Sequence, residues 1–179
     1  MRIVLSVLLG VMSVAYPLIW YFGREWGWFN YLAVAMAILW GIRATLQRDR
    51  AQKMMAMVVA MFFVAVWIFR LPESMYWYPV VVNGLMLLIF GSSLWAKQTL
   101  VERLARLQTP DLPPQGIVYT RKITQIWCVF FIVNGTTAAV LALLGWHNIW
   151  AIYTGIVAYV LMGLLGIGEF AYRKLILKV

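Results

Sequence analysis

The residues best suited to chemistry are two carboxamides in apolar surroundings, Asn83 and Asn134, each followed by glycine. Thr136 and Thr137 add two hydroxyls just beyond the second pair. A carboxamide offers two N–H donors and one carbonyl acceptor, so a buried pair can tie helices together or hold a polar solute. In water an Asn-Gly pair marks a tight turn. Here each pair lies within an apolar run needed to cross a bilayer, where a turn would leave backbone groups unbonded. Both asparagines are therefore expected on helices, facing protein and not lipid. Two uses stay open for Asn83, Asn134, Thr136 and Thr137: polar packing between helices, or a substrate site within the membrane.

Ionisable groups at membrane depth are costly and mark function, and few are available. Glu169 follows the apolar run from Ile149 to Gly168 and stands four residues before Arg173. That spacing suits an ion pair along one helix face at the membrane edge. Arg70 and Glu73 read as a second interfacial pair. His147, the sole histidine, has no neighbouring His, Cys or carboxylate with which to bind a metal. Cys128, the one cysteine, falls in an apolar block and reads as a small buried thiol. There is no glycine-rich phosphate loop, no serine elbow and no carboxylate pair at membrane depth. Neither a metal nor a cofactor is expected, and an enzyme is the least supported class.

These groups need a scaffold, and composition names it. Hydrophobic residues fill 64% of the 179 positions and charged residues only 12%, about half the charged share of a soluble domain. A helix needs about 20 residues to cross the hydrocarbon core. Uncharged runs approach or meet that need at Ile3 to Gly23, Trp26 to Ile42, Met54 to Phe69 and Ser74 to Ala96. The run from Ile123 to Gly168 is too long for one span and divides at Gly145-Trp146-His147-Asn148. The expected fold is all-α: a polytopic helical membrane protein with six transmembrane helices, residues 1–179 forming a single integral membrane domain. The run beginning at Ile3 continues through Trp20, Tyr21 and Phe22 without a small-x-small cleavage site, so it is expected to remain as the first span.

Charge gives this fold a direction. The formal net charge is +9. Arg2, Arg43 to Lys53, Lys97 to Lys122 and Glu169 to Val179 carry net +1, +3, +3 and +2, whereas the turns around Arg24-Glu25 and around Arg70 and Glu73 are neutral. Such alternation is the mark of Lys and Arg retained on the cytoplasmic side. Both termini are expected there, with Arg24, Arg70 and His147 on the opposite side. The surplus positive charge is thus assigned to membrane lipids and to insertion, and no nucleic acid partner is expected. Trp20, Tyr21, Trp26 and Trp28, then Tyr76, Trp77 and Tyr78, then Trp146 and Trp150 lie near the expected outer edges. They read as interfacial anchors.

The connection over residues 97–122 has two parts. Leu100, Leu104 and Leu107 recur at helical spacing, with Glu102, Arg103 and Arg106 mostly elsewhere, as in an amphipathic helix lying on the inner leaflet. Pro110, Pro113 and Pro114 then interrupt it, and such a run is expected to stop helix and make an elbow or a docking site.

Val101 to Leu107, then Leu112-Pro113, then Trp127-x-Val-Phe-Phe with Asn134-Gly135 form an ordered set. This set resembles the bacterial intracellular septation protein A group, and the likeness extends to Tyr16-Pro17 and to the basic turn ending at Lys53-Met54. The resemblance implies a small polytopic protein of the bacterial inner membrane, linked to cell-envelope synthesis and division, with no established catalytic residues. The expected function is a non-enzymatic component assisting envelope organisation or synthesis through contacts with inner-membrane envelope proteins or with itself. A small transporter or lipid flippase is the alternative class, motivated by the intramembrane asparagines and threonines.

Overall fold

The computed structural model describes the backbone over residues 2–175 and side-chain surroundings over residues 10–171 except residue 24. Every regular element among these residues is helical. In chain order they are α1 (Arg2–Gly23), α2 (Phe29–Leu46), α3 (Arg50–Ile68), α4 (Tyr78–Ser93), α5 (Leu100–Arg106), α6 (Pro114–Leu143), α7 (His147–Ile152) and α8 (Ala158–Leu175). A 3-10 turn, Pro72–Trp77, leads into α4, and a π turn, Tyr153–Val157, joins α7 to α8. Five segments among the described residues are long and apolar enough to cross a membrane: Phe29–Leu46, Arg50–Ile68, Pro72–Ser93, Pro114–Leu143 and His147–Ala171. α1 is a further helix of 22 residues.

Capping chemistry, more than the limits of the uncharged runs, sets where these helices begin and end. α3 starts at Arg50, ahead of its expected start at Met54, because Asp49 is its N-cap. The Asp49 carboxylate accepts the Gln52 N–H at 2.9 Å, satisfying a donor that the first turn leaves without a helical partner. At the other end Arg70 takes a left-handed conformation, φ 49°. The Arg70 N–H then reaches the Trp67 carbonyl at 3.3 Å and the Leu71 N–H reaches that of Val66 at 3.1 Å. This double closure is the Schellman ending, usually made by glycine. α6 ends the same way with the more usual residue, Gly145 at φ 68°, where Trp146 N–H bonds the Leu141 carbonyl at 3.1 Å.

The connection over residues 97–122 departs most from expectation. Pro114 does not end helical structure there; it begins α6. Proline is well suited to a first helical turn, because its missing N–H would have had no partner and its φ is already helical. Residues 114–122 therefore belong to a 30-residue helix. The amphipathic segment is real but short, the seven residues of α5, and its inward face is Val101, Glu102 and Ala105. The leucine stripe is on the other side, where Leu104 and Leu107 are exposed.

Contacts group the chain into two units. The first comprises Met1–Val82 and Thr137–Tyr159. In it α2 packs along α3, and the buried residues include Leu32, Met36, Trp40 and Ala44 on α2 and Met55, Val59, Phe63 and Val66 on α3. These four-residue and three-residue steps are one face of each helix. Its core is aromatic: Tyr16, Phe63 and Tyr78 lie with ring centroids 4.6 to 5.7 Å apart. The second unit comprises Asn83–Thr136 and Val160–Val179. Phe90, Trp127 and Phe131 form its aromatic contact, with Phe90 and Phe131 edge-to-face at 5.1 Å.

Candidate functional site

In the second unit, α4 brings Asn83 and α6 brings Asn134 to the same place. Asn134 Nδ2 donates to Asn83 Oδ1 at 3.0 Å. Both side chains are buried, 8% and 5% exposed, so neither carboxamide faces lipid. The backbones must come close for such short side chains to meet, and Gly135 permits it. A Cβ at Gly135 would lie 3.0 Å from Asn83 Cβ. The glycine after each asparagine thus serves different ends, since Gly84 has open space around it. Asn134 Oδ1 is buried without a hydrogen-bond partner, and an unmatched carbonyl oxygen at low dielectric is free energy left unrecovered. The pair can cross-link two helices, and its spare acceptor can take one further donor.

The other sequence candidates differ in their surroundings. Thr136 is exposed, and Thr137 is half-buried and belongs to the first unit. Glu169 is half-buried, and its backbone carbonyl accepts from the Tyr119 hydroxyl at 3.3 Å. The expected partner Arg173 has its side chain outside the described residues. Arg70 and Glu73 do not form the expected ion pair; both are exposed, and the conformation of Arg70 is fixed by closing α3. Glu102 forms an ion pair with Arg106, at 2.9 Å. Cys128 is a buried free thiol. No group of three or more His, Cys, Asp or Glu able to hold a metal occurs among the described residues.

Two clusters in the first unit escaped sequence reasoning. One centres on Ser13. The Tyr78 hydroxyl donates to Ser13 Oγ at 3.1 Å, and the Tyr159 hydroxyl donates to the Ser13 carbonyl at 3.0 Å. Nearby, the fully buried Tyr16 donates to the Met75 carbonyl at 2.8 Å. The signal for it was present: a tyrosine inside an uncharged run must send its hydroxyl to protein. The other cluster surrounds Tyr76. His147 stacks on that ring at 4.2 Å and 6°, while Trp20 and Trp150 meet it edge-on at 5.8 and 4.9 Å. Trp20, Tyr76 and Trp150 are each 2% exposed or less, so these three are core residues and not interfacial anchors. Trp26, Trp28 and Trp146 are 49 to 79% exposed, as anchors must be. His147 is correspondingly a packing group and not a bare loop residue.

These arrangements supply helix cross-links, hydroxyl-to-carbonyl ties and one spare buried acceptor. No protein-family model, no curated protein and no solved structure matches the chain.

Proposed function

We propose that the chain is a non-enzymatic, multi-pass component of the bacterial inner membrane that assists cell-envelope organisation or synthesis through contacts with other membrane proteins or with itself. α1 is the sixth span in this reading, and both termini are cytoplasmic. The observation that carries it is the Asn83–Asn134 bond, in which the strongest polar candidates inside the spans close on each other at 3.0 Å. Such a bond builds a fixed helix pair. Outside that pair, α4 offers Gly84, Leu88 and Gly91 on one face, with open space at both glycines and Leu88 67% exposed. A small-large-small face of this kind lets another transmembrane helix approach closely. The likeness of Val101 to Leu107, Leu112-Pro113 and Asn134-Gly135 to the intracellular septation protein A group supports the envelope assignment. The alternating +1, +3, +3 and +2 segments support the orientation.

Photo-crosslinking from position 88 in living cells tests the contact. A stoichiometric membrane-protein adduct, or a dimer of this chain, is expected, and Gly84→Leu should abolish it. Recovery of no adduct, with the protein correctly inserted, overturns the reading. A small transporter or flippase is the second reading, favoured by one observation, the unpartnered Asn134 Oδ1. It gains if Asn134→Leu preserves stability and assembly yet abolishes flux of a solute or lipid in reconstituted vesicles.

A further inference from the structure

The connection between the candidate spans Pro72–Ser93 and Pro114–Leu143 is a built element with an apolar outer face. Ser93, at the end of α4, accepts the Leu100 N–H at 3.0 Å, which sets the start of α5. Thr99 caps that helix, its hydroxyl accepting the Glu102 N–H at 3.3 Å. Glu102 in the first turn and Arg103 and Arg106 in the last match the helix dipole. Glu102 is 4% exposed, and its Oε1 receives both Nε and Nη2 of Arg106 at 2.9 Å. The third guanidinium nitrogen, Nη1, donates to the Pro110 carbonyl at 2.9 Å. One arginine thus fastens α5 to the elbow that follows. A second fastening is apolar: Leu112 is buried, and a Cβ on Gly116 would come within 2.9 Å of Leu112 Cγ.

Held at these two points, the segment turns its large apolar side chains outward. Leu104 is 56% exposed, Leu107 81%, Trp95 85% and Val118 58%. Lys97, Arg103, Arg121 and Lys122 are exposed in the same stretch of chain, against a single exposed acid, Asp111. Exposed leucine and tryptophan with exposed cations in the same short stretch of chain suit the boundary between acyl chains and anionic headgroups. The chain also offers that boundary directly, because the segment is tied at both ends to candidate spans.

We infer that α5 and its elbow form a preset wedge in the anionic leaflet of the chain's own membrane. Leu104 and Leu107 enter the acyl edge, Trp95 sits at headgroup depth, and Lys97, Arg103, Arg121 and Lys122 contact lipid phosphate. Charge complementarity selects the lipid surface over a protein partner: a protein covering four cations would need a matching acidic face, which the leaflet already provides. The inference rests on membrane insertion alone, and stands whether or not the assembly reading holds.

Nitroxide side chains at positions 104, 107 and 111, each in a Cys128→Ser background, test it by spin-label accessibility. Discs holding one chain each, made with mixed phosphatidylglycerol and phosphatidylcholine, exclude coverage by a second copy. Positions 104 and 107 should collide with oxygen and be shielded from a water-soluble nickel chelate, while 111 should meet the chelate. Moving to pure phosphatidylcholine should lose most of that shielding. Arg106→Gln should also raise chelate access at 107, because the elbow then loses its guanidinium tie to Pro110. Chelate access at 107 equal to that at 111 in anionic discs overturns the wedge, as does shielding from both probes. Equal shielding in neutral lipid overturns the role of the cations, and an unchanged Arg106→Gln variant overturns the fastening. Insertion is scored separately, by helix content and recovery in the discs, so failure there is distinct from failure of the wedge.

Discussion

Replacing the two asparagines singly and together measures what the α4–α6 contact is worth. Asn134→Leu removes one buried bond of 3.0 Å and leaves Asn83 without this donor. Interhelical hydrogen bonds in membrane proteins average about 0.6 kcal/mol and reach about 1.7. Leaving a buried acceptor without its donor adds about 1 to 3 kcal/mol. One term acts in the opposite sense, since the unpartnered Asn134 Oδ1 disappears with the side chain. Asn134→Leu should therefore lose about 1 to 2 kcal/mol, the relief at Oδ1 offsetting part of the loss, while Asn83→Leu, which keeps that oxygen, should lose about 2 to 4 kcal/mol. The double variant should lose less than the two single losses summed, because either change alone already removes the bond between the two carboxamides. A coupling of about 1 kcal/mol follows.

The assay is unfolding in dodecylmaltoside micelles with rising dodecyl sulfate fraction, followed by tryptophan fluorescence and far-ultraviolet circular dichroism. The cycle cancels strain that each leucine introduces on its own, which matters where two helices are this close. A coupling below ~0.3 kcal/mol, the scatter of independent sites, would refute the claim that these carboxamides act as a pair. A coupling of the right size with unchanged crosslinking at position 88 would separate the internal contact from external assembly.

Gly135→Ala should destabilise the fold in the same titration: crowding of about 1 to 3 kcal/mol against Asn83 Cβ, 3.0 Å away, exceeds the helical gain of about 1 kcal/mol. Gly163→Ala is its control, with nothing within 4 Å, and should be neutral or slightly stabilising. Arg70→Gly should stabilise by about 1 kcal/mol, because a non-glycine residue held at φ 49° bears a left-handed penalty; no gain in unfolding midpoint would contradict that. Asp49→Ala should cost about 1 kcal/mol through the lost cap on Gln52, while Asp49→Asn should retain most of it, as read by the same midpoints.

The helical class and most spans were legible because hydropathy reports how much apolar chain must be covered, whatever covers it. Element ends were less legible. Uncharged runs located apolar stretches, whereas Asp49, Arg70, Pro114 and Gly145 set the actual limits through local hydrogen bonding. Asn83 and Asn134 could be identified as residues that must avoid lipid. Their partnership could not be read, because nothing in the spacing of two residues 51 apart says which helices are neighbours. Trp20, Tyr76 and Trp150 failed for a related reason. Their positions near run ends suggested depth, but the helix face each occupies decides between lipid boundary and core.

α5 shows the deeper cause. In a soluble protein the apolar stripe of a helix is its inward face, so periodicity gives the direction of burial. A membrane removes that rule, because lipid accepts leucine as readily as a core does. Polar side chains, which lipid rejects, are then the ones whose direction is constrained. Among the described residues the buried polar set includes Asn83, Ser93, Thr99, Glu102, Thr120, Thr124, Asn134 and Thr154, while Leu88, Leu104, Leu107, Leu164 and Ile167 are exposed by half or more. Glu102 faces inward because Arg106 waits there, and Leu104 and Leu107 face outward because nothing in the fold needs them. Leucine is found on both sides, Leu32, Leu112 and Leu141 buried and the others outward, so the direction of an amphipathic stripe is read from its charged and hydroxyl members first.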